Sequence, residues 1–300
     1  MAKMLVTRRR TAVFLSIVVI WWVSITGTAL ADDHFDGYSY AVIGMQALSY
    51  SEHSSLFKSQ ANARNLAFES GGLFSVNNQM DFSLDTASSL VNTLSNEQWN
   101  STRPISWSNS SGNGSIGSGT LVQTDSFMMD VSSIRALLQY KYTPNLRMVG
   151  GLTYLALNAQ RSLSTTNYPS LINASNSMVN ERNDTFSASV GAAWESGGLA
   201  DNIQRWRLRG VLDLPIFRQV TNSNFSTPIY SGFDWGFDIS AAYDIRVYKG
   251  LEVGVLSDYF YRRGNSATLG NGNAQYPQHT CSQLFAGVEF GWNLSRQHRQ

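Results

Sequence analysis

Four histidines and a single cysteine are the scarce reactive groups of this 300-residue chain, so their spacing bounds the chemistry open to it. His53 lies in the run Glu52-His53-Ser54-Ser55, which places a base beside hydroxyls. Asp81 and Asp85 are four residues apart, which puts both carboxylates on one face of an extended segment. Nucleophilic catalysis needs base, nucleophile and orienting group within hydrogen-bond reach, and neither His53 nor His279 has an Asp two residues away. His34 and His298 stand near the two ends and read as solvated side chains. No ligand pair has metal-binding spacing, so neither a metal nor another cofactor is expected. Cys281 alone excludes a disulfide framework within one chain; it reads as a packing residue or a thiol that pairs with another chain.

A larger charged set has a regular spacing. Arg205, Arg207, Arg209 and Asp213 fall on alternate positions, as do Asp234, Asp238, Asp244 and Arg246, followed by Glu252 and Asp258. If residues 205–219 pair antiparallel with 233–246, Arg207 comes near Asp244 and Asp213 near Asp238, and Arg246 then approaches Glu252. Arg135, Arg147, Asp81 and Asp85 belong to the same inward set. The simpler reading is a packed network of ion pairs, because buried charges are costly unless paired. The sharper one is a charged constriction that selects small solutes.

The elements that position these residues are strands. In 233–247 one face carries Phe233, Trp235, Phe237, Ile239, Ala241, Tyr243, Ile245 and Val247, without one polar residue. Residues 283–294 repeat the pattern with Leu284, Ala286, Val288, Phe290, Trp292 and Leu294. About ten segments follow the rule: 38–50, 56–69, 73–90, 127–142, 146–160, 185–195, 205–219, 233–246, 251–262 and 282–294. Segment 56–69 is the weakest, because Lys58, Gln60, Asn62 and Arg64 share a face, and it reads as partly loop. Eight or twelve strands therefore stay open. Gly71-Gly72, Thr143-Pro144-Asn145 and Tyr248-Lys249-Gly250 read as tight turns. The connections 91–124, 162–183, 221–232 and 264–279 are long and rich in Ser, Asn and Gly.

Composition narrows the setting. Charged residues make up 14% and hydrophobic ones 43%, against roughly 25% charged in an ordinary soluble domain. That balance excludes a disordered chain, a coiled coil and a nucleic-acid binder. Residues 1–31 read as an export signal, with Lys3, Arg8, Arg9 and Arg10 before an apolar run and Ala29-Leu30-Ala31 at its end. Removing them takes four cations and no anion, leaving 18 against 21, a net charge of −3.

Alternating strands, short turns on one side and long polar loops on the other resemble a bacterial outer-membrane β-barrel over about 260 residues, from 32 to 300. That resemblance implies an all-β fold: a closed, antiparallel, up-and-down transmembrane barrel of about ten strands. It makes Tyr140, Tyr142, Trp194, Trp206, Trp235 and Trp292 an aromatic girdle at the membrane–water boundary. The run 287–292, with Gly287, Phe290 and Trp292, is similar to the C-terminal signal of such barrels, although six residues follow Leu294. The implied partners are the lipid bilayer and lipopolysaccharide, the barrel assembly machinery and periplasmic chaperones; no nucleic acid is expected. A narrow or charge-plugged barrel, serving envelope structure or passage of a small solute or polymer, is the leading functional expectation. A rim hydrolase acting on lipid A or peptides, built like the outer-membrane proteases or lipid-A deacylases around His53 or His279, is the alternative. A loop-borne adhesin or receptor is a further one.

Overall fold

The computed structural model describes residues 37–172, 178–196, 203–223, 229–230, 234–248, 250–268 and 275–293. The expected export signal 1–31 and the tail 295–300 lie outside the described residues, as do His34, Phe233, Lys249 and His298.

Alternation of side chains forces extended chain, and extended chain with apolar residues facing outward must find a partner for each edge. The chain meets this demand by closing on itself. In order, the strands are β1 (Gly37–His53), β2 (Phe57–Asn77), β3 (Met80–Val91), β4 (Ser95–Ser101), β5 (Ile105–Asn109) and β6 (Gly112–Ile116). Then come β7 (Leu121–Lys141), β8 (Leu146–Thr166), β9 (Val179–Glu195), β10 (Gln204–Asn222) and β11 (Ile229–Tyr230). The last are β12 (Asp234–Tyr248), β13 (Leu251–Gly264), β14 (Ala267–Thr268), β15 (Gln275–Tyr276) and β16 (Gln278–Asn293). The ring runs β1, β16, β13, β12, β10, β9, β8, β7, β3 with β4, and β2, which pairs back onto β1. β3 and β4 occupy one place in the wall, since both pair with β2 on one side and β7 on the other. The ring has ten strands, as the sequence suggested.

Three readings of the sequence need correction. The segment 56–69 is not partly loop: from Phe57 on it belongs to β2, which runs unbroken for 21 residues. Gly71-Gly72 is not a turn but the middle of that strand, and the hairpin turns instead at Asn78-Gln79. The reason is space. A Cβ on Gly71 would lie 2.7 Å from the Leu84 carbonyl oxygen, and one on Gly72 would meet the Phe74 ring at 2.6 Å. These glycines make room for a neighbour rather than for a bend. Gly250, at φ +94, does turn the chain between β12 and β13. The connection 91–124 is not all loop either, because β4 extends the wall and β5 and β6 form a separate hairpin.

The outer wall is apolar over a belt. Ile43, Val255, Val288, Ile239, Leu212, Val190, Leu152 and Leu138 point outward, each at least two-fifths exposed. Toward the long connections the outward residues turn polar: Ser49, Ser51 and His53 on β1, Ser282 and Thr280 on β16, Asn158 and Gln160 on β8. A tilted strand crosses a bilayer in about 9–11 residues. β2, β7 and β8, at 21 residues each, project beyond the belt on that side.

Candidate functional site: the lumen and its outer end

The inward faces meet across the barrel. Arg135 on β7 forms a bidentate pair with Asp238 on β12, at 3.0 and 2.7 Å, from places four apart in a ring of ten. Arg209 on β10 reaches Asp85 on β3 at 2.5 Å across the same span. Arg207 binds Asp244 at 3.0 Å and also Glu289 on β16, to which the Tyr38 hydroxyl donates. Arg205 pairs with Glu252 at 2.9 Å and with Asp244 at 3.5 Å, and its guanidinium lies 3.9 Å from the Tyr38 ring centre. A cation over an aromatic face is attracted by the ring quadrupole, and more strongly where water is excluded. Arg262 pairs with Asp213 at 2.5 Å, and Ser189 also donates to that carboxylate. At the tight-turn end, Asp81 takes both Lys141 and Arg147 at 2.9 Å.

Compared with the sequence expectation, Arg207 does meet Asp244. Asp213 and Asp238 lie on paired strands, but each takes a different arginine, Arg262 and Arg135 respectively. Arg246 lies opposite Glu252 in register, while Arg205 forms the ion pair with Glu252. Asp258 stands beside Asp238. Asp234 belongs to the opposite end, with Arg218 at 2.9 Å.

Several members were not legible. Glu69, Arg161, Arg218 and Arg262 are all buried in the lumen. Arg218 escaped because alternation fails: a bulge between Pro215 and Phe217 shifts the register, so an even-numbered residue turns inward. An apolar layer also crosses the interior. Leu48, Tyr50, Phe127, Met129, Leu155 and Phe260 pack together inside, a layer that the reading of the inward charges did not include. Two cavities between the charged layers hold about 30 and 70 Å³. Since one water takes about 30 Å³ of liquid, each has room for one or a few waters.

Beyond the belt, at the outer end, Arg161 gathers Glu52 and Glu97 at 2.5 Å and Glu181 at 3.6 Å. Although burial disfavours a charged guanidinium, these three carboxylates raise its pKa well above the usual arginine value. Burial pushes Glu97 and Glu181 upward from the normal carboxylate range, with Arg161 opposing. His279 lies alongside, buried, its ring stacked on Tyr50 and edge-on to Tyr276, with Arg218 at 3.0 Å from Nε2. Burial first, and Arg218 second, drive its pKa well below the ordinary imidazole value.

The hydrolase residues are not brought together. Glu52 turns inward to Arg161, while its neighbour His53 turns outward. The Ser54 hydroxyl donates to the Phe57 carbonyl and accepts from its amide, holding the β1–β2 turn. Asp81 and Asp85 belong to the turn-side half, away from His279. Cys281 is fully buried within the barrel, which removes the expectation that it pairs with another chain. Among the described residues no cluster of three metal-ligating side chains occurs.

The aromatic residues divide between the two rims. Tyr140, Tyr142, Trp194, Trp206 and Trp292 are exposed on the turn side, with Trp206 packed on Tyr243. Trp235 stands on the loop side against Phe237 and Tyr261. Phe290 and Trp292 face outward on β16, and Gly287 faces inward, where a Cβ would meet Val42.

No protein-family model matches the sequence, and no curated protein matches it. Solved structures do resemble the barrel. The outer membrane protease OmpT from Escherichia coli aligns with a TM-score of 0.55 and 8% identity, over 87% of this chain and 97% of that one. The outer membrane protein OprG from Pseudomonas aeruginosa aligns over 88% of this chain and 98% of its own, at 10% identity and a TM-score of 0.33. The translocator domain of the autotransporter NalP from Neisseria meningitidis covers 94% and 96%, at 8% identity and a TM-score of 0.33. At such identities likeness speaks to fold alone. Joined to the closed ring and its apolar outer belt, it makes this chain a ten-stranded barrel with the fold of the bacterial outer-membrane β-barrel proteins.

Proposed function

We propose that this chain is a non-enzymatic outer-membrane barrel whose lumen is closed by its own side chains, and that it serves the envelope as a structural element. The observation that carries this is the meeting of opposite walls: Arg135 with Asp238, and Arg209 with Asp85, each span four places of a ten-place ring. A pore lined by charge needs its charged groups free to exchange partners with a passing solute. Here the groups are spent on one another, and an apolar layer lies between the charged ones. Passage of a small solute is the weaker reading, because the two cavities between the charged layers, of about 30 and 70 Å³, leave little room for one among the described residues. The aromatic side chains at both rims suit a girdle, and Gly287, Phe290 and Trp292 suit a signal read by the assembly machinery and periplasmic chaperones. The long connections then face outward, toward lipopolysaccharide.

Planar-bilayer recording tests the proposal. The wild-type barrel is expected to insert without discrete conductance. Large, porin-sized steps would overturn the closed lumen.

A further inference from the structure

One stretch of the lipid-facing wall breaks the apolar rule. Across four neighbouring strands the paired residues Tyr259, Leu284, Ala47 and Arg64 form one row, all facing outward. Three are apolar, and the fourth is an exposed arginine. An arginine on the lipid face of a barrel costs about 2–4 kcal/mol at the midplane and falls toward 0–1 near the interface. Arg64 therefore belongs at the interface, where its long stem can carry the guanidinium toward polar headgroups.

The wall beside Arg64 is also interrupted. Residues 92–94 separate β3 from β4, and Thr93 replaces strand pairing with side-chain bonds to the Arg64 backbone. A groove of about 480 Å³ results. Ala47, Leu284, Tyr259 and Leu94 give it apolar walls, and Ser49, Asn62 and Ser282 line its polar end. Above this row, outward positions on β13, β16, β1, β2 and β4 carry Arg263, His53 and Lys58, and among the described residues no carboxylate. Outward carboxylates occur one strand further on, at Asp130 of β7 beside β4, and at Asp184 of β9, which is bound to Arg182.

We infer that this groove seats one phosphorylated glycolipid of the lipid A type from the leaflet on the loop side. Its acyl chain lies against Leu284, Ala47 and Tyr259, its phosphate meets Arg64, and its sugar hydroxyls meet Ser49, Asn62 and Ser282. Arg64, the charged residue that lines the groove, fixes the sign of the head group, and the position at the edge of the belt fixes the ligand's amphiphilic character. The site rests on the membrane reading given above and extends it to a specific partner.

The test titrates the purified full-length protein in mild detergent with diphosphoryl lipid A, and with the same lipid stripped of phosphate. Bound lipid is read by native mass spectrometry. One equivalent of the phosphorylated lipid is expected, with the stripped form bound at least fivefold more weakly. Arg64→Gln should lose about fivefold for the phosphorylated lipid, the worth of one surface cation, and nothing for the stripped one. Ser282→Phe should fill the groove and exclude both, while the folded barrel keeps its anomalous gel mobility. Equal binding of the two lipids, or an unchanged Arg64→Gln variant, would overturn the site. So would a Ser282→Cys protein that cross-links to a second copy and excludes lipid. A chain that never inserts into vesicles would instead defeat the membrane reading on which the site stands.

Discussion

Arg135 and Asp238 face each other across the barrel in two parallel hydrogen bonds, Nη1 donating to Oδ1 and Nη2 to Oδ2. Each is nearly inaccessible to water, at 8% and 2% exposure, so neither charge has solvent to fall back on. Desolvation makes such a pair weak evidence for stability but makes its disruption costly. Arg135→Ala should therefore lose about 3–5 kcal/mol in urea unfolding from vesicles. Replacing both, as Arg135→Met with Asp238→Leu, should restore most of that loss. A single variant as stable as wild type would mean that water reaches the pair.

The glycines of β2 offer a second check. Gly71→Ala places a Cβ 2.7 Å from the backbone oxygen of Leu84, which cannot move without shifting β3. Overpacking of this kind costs about 1–3 kcal/mol. A Gly-Ser insertion between Asn78 and Gln79, in the true turn, should be nearly neutral, because turns at the surface absorb extra residues. Unfolding midpoints of the two variants separate strand from turn.

Much of the fold could be read from alternation alone. Trp206 through Leu214, and Leu284 through Trp292, each present every second side chain to the outside. Reading failed where two-residue periodicity is locally suspended. At Arg218 a bulge exchanges the faces. Around Leu155 and Leu157 the inward face is apolar too, so inside and outside looked alike in sequence. At Gly71 a residue type that usually marks a turn was chosen for close approach. The outer cluster was hidden for a different reason: Glu52, Glu97, Glu181 and Arg161 come from four strands, and two of the four lie in segments that read as loop. No spacing along the chain encodes a four-way meeting.

His279 gives the barrel a pH dependence of known sign. Its folded pKa is depressed below the unfolded value of about 6.5, so the unfolded chain binds the extra proton first. Stability from this residue is full above about pH 6.5 and falls below it, by up to about 1.4 kcal/mol per pH unit. Glu97 and Glu181 work in the opposite direction. Their raised folded pKa values favour the folded chain at low pH, a benefit that fades as pH rises through them. Comparing wild type with His279→Gln between pH 5 and 7 cancels the carboxylates. The difference should grow steadily as pH falls below 6.5. A constant difference would show that His279 is solvated.

Placement of the membrane can be measured residue by residue. Val288 faces outward in the middle of β16, flanked in register by Ile43 on β1 and Val255 on β13, all three apolar and exposed. If this row lies near the bilayer centre, Val288→Arg should cost about 2–4 kcal/mol in vesicle unfolding. Ser51 faces outward on β1 eight residues beyond Ile43, which at about 3.4 Å per residue is more than half a bilayer along the strand. Ser51→Arg should then cost no more than about 1 kcal/mol. Reversing the order of the two values would move the belt away from the strand centres. Equal small values would mean that the apolar band faces something other than hydrocarbon, and the polar outward residues near the long connections would need another explanation.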